Sequence, residues 1–372
     1  MSIEIKEVSS KKDIKKFIKF YTDLYKENKQ VAFPLHLDEQ KCLSDENPAL
    51  SFCRVKYFLA WKQNKIVGRI CAIINTREQK KINKKIGRFG LFDFIDDKNV
   101  SHLLMEKACE WLKSEGVDIV HGPMGFTDMD RQGLLIEGHD RDGTMATNYN
   151  FPYYEMHIDA LEFSKSTDWI EFLLYPEEKV LSRIGKLSSR CKKIHNLRSV
   201  YFSSRRELKK HADEIFSLIN DSYKDLYGYI ELDEAQKKYY TKTYLSFVNL
   251  KMIGVVMDHN DKIVGVGISM PSFTKALQKA RGKLFPMGVF HMFRALKKND
   301  CADLYLIAVD KEYQGKGVNA IIMHDITKGA FDLGITKAET NIELEDNKKI
   351  HQMWRFFNGE QHKRRRCYIK SL

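Results

Sequence analysis

One short run of residues is written twice. Asn64-Lys65-Ile66-Val67-Gly68 matches Asp261-Lys262-Ile263-Val264-Gly265 in the second half of the chain. Each copy sits at the turn of a predicted hairpin. The first pairs Tyr57–Trp61 with Ile66–Ile74, and the second pairs Met252–Met257 with Ile263–Met270. The neighbouring patterns repeat as well. Ile3–Val8 alternates like a strand, Ile14 to Tyr25 gives a helical stripe, Arg88–Ile95 is a strand, residues 99–115 a helix and Asp118–His121 a strand. In the second half the same order runs through Ser199–Ser203, Leu208–Tyr223 with a helical continuation at Tyr239–Phe247, the hairpin, Leu304–Val309, a helix over 315–333 and Lys337–Ile342. This is an internal duplication. It predicts an α/β (α+β) chain of two domains, each a mixed sheet flanked by helices. The expected boundaries are 1–175, a basic connecting helix at 176–197, and 198–372; 372 residues are ample for two cores.

The halves differ at one place. Leu304–Val309 leads through Asp310–Tyr313 into Gln314-Gly315-Lys316-Gly317-Val318-Asn319 and then into a helix. Glycines let backbone approach a ligand, and a helix start offers free N–H groups and a positive dipole end. The loop suits an anion such as a pyrophosphate, although an ordinary turn with glycines fits it too. It is neither a Walker A loop nor a GxGxxG fingerprint. The first half runs Asp96-Asp97-Lys98-Asn99-Val100 at the equivalent point, without glycine.

Composition narrows the function classes. The formal charge of +12 favours anionic partners without choosing among them. The seven cysteines are scattered with no CxxC pair, which argues against a disulfide framework or zinc knuckle and for a reducing compartment. No apolar signal core or transmembrane-length run occurs, so a cytoplasmic protein, peripheral to a membrane at most, is expected. The histidines lack metal-ligand spacing, no metal site is expected, and Cys191 has no assignable His–acid partner.

The loop resembles the acyl-CoA loop of GCN5-related N-acetyltransferases (GNATs), Gln/Arg-x-x-Gly-x-Gly/Ala, through Gln314 and Gly317; Asn319 replaces the small final residue. Further stretches are similar to a two-domain, YghO-like bacterial group of that superfamily: Asp130 to Gly138, Asn150 to Tyr154, Lys279 to Gly288 and Glu343-Leu344-Glu345-Asp346-Asn347. The resemblance implies a tandem GNAT fold and an N-acyltransferase using acetyl-CoA or a longer acyl-CoA. The donor would lie on Ile307, Ala308, Val309 and Gln314 to Asn319 (Gln314, Gly315, Lys316, Gly317, Val318, Asn319), with Asn347 touching its arm and Trp354 also beside it. Position 354, where such enzymes often carry a Tyr that protonates the leaving thiolate, is Trp354, and an indole cannot do so. Asp303 stands where some relatives place a general base, with Glu339 and Glu345 as competing carboxylates. Tyr227 and Tyr229 are candidates for the acceptor pocket, and the acceptor would be a small-molecule or lipid amine. The N-terminal domain is expected to be degenerate for the donor. Two alternatives share the fold: a FemABX-like transferase using aminoacyl-tRNA, and a non-catalytic CoA-binding or regulatory module.

Residues 271–300 interrupt the second domain. Lys275, Lys279, Arg281, Lys283, Arg294, Lys297 and Lys298 interleave there with apolar residues, and only Asp300 is acidic. That composition suits a membrane surface, an acyl-carrier protein or a packed helical excursion. Lys363 to Arg366 reads as a charged strand end; no stable nucleic-acid partner is expected.

Overall fold

The computed structural model describes residues 2–245 and 248–372. The chain divides into two compact units. One comprises 1–170, 273–292 and 362–372; the other comprises 171–272 and 293–361. The end of the predicted helix at Tyr239–Phe247 falls on residues 246 and 247, outside the described residues.

In the first unit the elements follow as β1 (Ile3–Glu7), α1 (Lys11–Leu24), α2 (His36–Cys42), β2 (Cys53–Lys62), β3 (Lys65–Asn75), α3 (Thr76–Ile82), β4 (Ile86–Phe94), α4 (Lys98–Ser114), β5 (Ile119–Gly122), β6 (Leu134–Glu137), α5 (Tyr153–Ala160) and β7 (Ser164–Leu174). Then come α6 (Glu178–His195), β8 (Arg198–Val200), α7 (Arg205–Lys210), α8 (Ala212–Tyr223), α9 (Glu234–Thr243), β9 (Ile253–Met257), β10 (Ile263–Pro271), α10 (Thr274–Ala280), α11 (Met287–Lys297), β11 (Cys301–Val309), α12 (Val318–Phe331), β12 (Lys337–Thr340), β13 (Glu343–Leu344), α13 (Lys348–Trp354) and β14 (Glu360–Ser371).

The duplication is visible in the strand pairing. In the first unit β1, β2, β3 and β4 are antiparallel neighbours, β4 runs parallel to β5, and β14 pairs antiparallel with β5. In the second, β8, β9, β10 and β11 are antiparallel neighbours, β11 runs parallel to β12, and β12 pairs antiparallel with the end of β7. The repeated glycine has the same work in both. A Cβ on Gly68 would lie 2.6 Å from Leu104 of α4, and one on Gly265 would lie 2.4 Å from Val318 of α12. Only glycine lets each helix lie that close to its sheet.

The connecting helix predicted at 176–197 is α6. The single helix predicted over 208–223 is α7 and α8, divided at His211. The basic tail is a paired strand whose cations are used internally. Arg364 and Arg366 both bond Asp168, Lys363 Nζ donates to the Asp142 carbonyl at 2.9 Å, and Arg365 donates to the Asn148 carbonyl.

Candidate active site in the second unit

β11 and β12 part company partway along. They pair from Cys301↔Lys337 to Leu304↔Thr340, and the Asn341 N–H still reaches the Leu304 carbonyl at 2.9 Å. Beyond that point β13 pairs with β7 instead, while β11 continues to Val309. On its other side β11 carries a bulge: Ile268 faces Leu306 and Ser269 faces Leu304, which leaves Tyr305 as the extra residue. A bulge bends its strand and re-aims the groups beyond it. The fork therefore exposes the Ile307–Val309 edge of β11. Strand alternation points the N–H of Val309 to the same side as that of Ile307.

That edge is not bare. The Tyr223 hydroxyl, at the end of α8, accepts from the Ile307 N–H at 3.2 Å and donates to the Ile307 carbonyl at 3.0 Å. Ser222 Oγ donates to the Val309 carbonyl at 3.2 Å. Sequence reasoning missed both residues, since nothing local to α8 announces a strand 80-odd positions away.

The glycine loop follows directly. Asp310 accepts from the Glu312 N–H at 2.9 Å and from Lys262 at 2.8 Å, and Tyr313 donates to Asp258 at 2.9 Å. Burial opposes ionisation of Asp310, but Lys262 and the backbone donor hold its carboxyl below the usual range. The hairpin turn thus fixes the corner of the loop. Gly315 and Gly317 have φ of +76° and +79°. A Cβ on Gly315 would meet open space, whereas one on Gly317 would lie 2.1 Å from Cys191 Sγ of α6. So α6, with its lysines and arginines, lies against the start of α12, where Val318 and Asn319 are the first helical residues. Their N–H groups have no helical acceptor. Open space at Gly315, a cationic helix alongside and free amides together fit a pyrophosphate; the β11 edge fits a pantetheine amide only if Tyr223 yields its two bonds.

The corresponding place in the first unit is closed. Asp97 caps α4 with its own carboxylate, accepting from the Asn99 N–H at 3.0 Å, so an anion already sits there. At the end of β4 the Tyr154 hydroxyl accepts from the Phe94 N–H at 3.1 Å and from the Tyr25 hydroxyl at 2.8 Å, while buried Arg69 binds Asp93 at 2.8 Å.

The expected carboxylates separate. Asp303 and Glu339 are buried, and they face each other in register on the paired part of β11 and β12, before the fork. Burial, and then Asp303, push the neighbouring Tyr305 phenol well above its usual value. Glu345 is half-buried, just past β13. Asn347 occupies the N-cap position of α13, but its side chain makes no capping bond. Trp354 is 3 % exposed, and its indole N–H lies 2.9 Å from both oxygens of Glu343. Burial pushes the Glu343 carboxyl up to about 8, opposed by that indole bond. His351 Nε2 is 3.6 Å from the same carboxyl. Glu343 lies in the stretch that the sequence singled out, although the candidate named there was Glu345; what sets Glu343 apart is its bond to the Trp354 indole, a contact between residues eleven apart. Tyr229 is 1 % exposed and bonds Asn220 at 2.7 Å, a packing position, while Tyr227 is half-buried.

Residues 212–358 match the model of the acetyltransferase (GNAT) family. The whole chain is similar to protein YghO of Escherichia coli (strain K12): 26% identical over 98% of this chain and 94% of that protein. The GNAT match covers the part of the chain that carries the β11 fork and the glycine loop. The chain is also 23% identical to the bacterial ceramide synthase of Caulobacter vibrioides (strain NA1000 / CB15N), over 98% of this chain and 96% of that one. Among solved structures it shares its fold with a tandem GNAT protein from the clavulanic acid biosynthesis pathway. The TM-score is 0.59 at 11% identity, covering 100% of this chain and 98% of that one.

Proposed function

We propose that the second unit transfers an acyl group from acyl-CoA to an amine, and that the first unit has lost the donor site. The observation that carries this reading is the bulged fork in β11, which opens beside a glycine loop backed by the cationic α6. The bound donor supplies an activated thioester; the chain's residues hold it and move protons. The amides at the start of α12 and the α6 cations take the pyrophosphate. The Val309 N–H, on the open side of β11, stabilises charge developing on the thioester carbonyl oxygen. The new C–N bond forms as the C–S bond breaks, with side-by-side binding supplying much of the rate.

Two proton transfers complete the balance. Glu343 gives its proton to the departing sulfur, the role that Trp354 cannot fill; Trp354 holds Glu343 in place instead. Glu345, which keeps contact with solvent, takes the proton from the new ammonium centre. Asp303 and Glu339 remain a buried polar pair behind the fork. The relative named a bacterial ceramide synthase supports a long-chain acyl group and a lipid amine over acetyl and a small amine. Isothermal titration with acetyl-CoA and palmitoyl-CoA tests the donor. Binding of palmitoyl-CoA is expected; absence of binding to both, with a tRNA complex that weakens in salt, would shift the reading to the aminoacyl-tRNA class.

A further inference from the structure

The segment between β10 and β11 carries an apolar surface that none of the described residues covers. Phe285 is 69% exposed, Met287 58%, Phe290 58% and Phe293 62%. Met287, Phe290 and Phe293 recur every three residues along α11, so they line one face of a single helix, and Phe285 extends that face into the preceding turn. The opposite side packs inward: Gly288 is buried, and Val289, Met292, Ala295 and Leu296 are half-buried. Isolated exposed apolar residues are ordinary, but four large ones on one short face are not.

Cations bracket this face. Arg281 and Lys283 precede it, and Arg294, Lys297 and Lys298 follow on the same exposed side; all five are exposed. Among the described residues none of the five is paired with a carboxylate, whereas Lys275 nearby is held by Asp142 at 2.7 Å. No acidic residue occurs between Pro271 and Asn299. Large apolar side chains flanked by unpaired Lys and Arg suit the boundary between acyl chains and anionic headgroups, where rings enter and ammonium groups stay at the phosphates. Two copies of the face brought together by a twofold would set cations against cations, so self-association is disfavoured.

We propose that the Phe285–Lys298 segment docks on an anionic lipid bilayer, with the Phe285, Met287, Phe290 and Phe293 side chains inserted and the flanking cations at the lipid phosphates. The proposal stands apart from the acyl-transfer reading, and its test needs no turnover.

The experiment is flotation of the full chain with vesicles of phosphatidylcholine alone and of phosphatidylcholine mixed with phosphatidylglycerol, at 0.1 and 0.5 M salt. The protein floats with the anionic vesicles at low salt, and raising the salt releases most of it. Phe290→Ser with Phe293→Ser lowers partitioning at least about tenfold. Lys297→Glu with Lys298→Glu lowers it on the order of thirtyfold or more. Phe290→Trp supplies a reading that needs no weakened variant: its emission shifts to the blue on adding anionic vesicles. No flotation with anionic vesicles overturns the proposal. So does binding that both double variants leave unchanged, salt-sensitive capture of an acidic acyl-carrier protein without vesicle binding, or a solution dimer that Phe290→Ser dissociates.

Discussion

At the residue scale, the proposed proton transfer turns on the Glu343 carboxyl and the Trp354 indole that bonds it. A Glu held near 8 keeps its proton at neutral pH and can act as an acid there, while an ordinary Glu cannot. Replacing Glu343 with Gln keeps shape and polarity but removes the transferable proton. The expected loss in kcat is about a hundredfold or more, with CoA affinity unchanged in titration. The pH profile of the native chain should fall as pH rises through about 8, because the folded-state carboxyl then ionises, and the variant should lack that limb. A descending limb that survives in the variant would assign the acid elsewhere. Tyr223 gives a second residue-scale test. Tyr223→Phe frees the N–H and carbonyl of Ile307, so CoA should bind about fivefold tighter, the worth of roughly one hydrogen bond. Weaker binding would instead make the hydroxyl a donor contact.

At the element scale, the two loop glycines separate two costs that usually come together. Both have positive φ, but only Gly317 abuts another helix. Gly315→Ala should cost about 1 kcal/mol, from backbone conformation alone. Gly317→Ala should cost about 3 kcal/mol, because it adds a collision with Cys191, and Cys191→Ala should recover part of the difference. Thermal melts with and without CoA measure both. These elements also show what could be read from sequence. The hairpins, α4, α12 and the glycine loop were legible because apolar periodicity and turn residues are local signals. The reason for Gly317 was not, since Cys191 approaches it only through the packing of α6 on α12. Tyr223 at the β11 edge and the Trp354 bond to Glu343 were hidden for the same reason: partners distant in sequence meet by tertiary approach. The carboxylates named from sequence were Asp303, Glu339 and Glu345; Glu343 differs from them by its bond to the Trp354 indole, which no local pattern announces.

At the scale of the whole molecule, each half of the duplication is finished by chain from elsewhere. The last part of β7 lines up with β12, and β14 pairs with β5, through Tyr368↔Gly122 to Ser371↔Ile119. Sequence patterning placed the halves end to end, because long-range strand pairing leaves no local mark. Removing 362–372 should therefore strip hydrogen-exchange protection from the β5 amides, although every residue of the β1–β5 series remains. Protection that persists would make β14 dispensable. This pairing also bears on how the protein is made. At 5–20 residues per second, β5 waits on the order of ten seconds or longer for Glu360–Ser371 to leave the ribosome. Through that interval the first unit has a strand edge open to wrong partners. A chain broken off before Glu360 would therefore carry its damage at β5, far from the break in sequence.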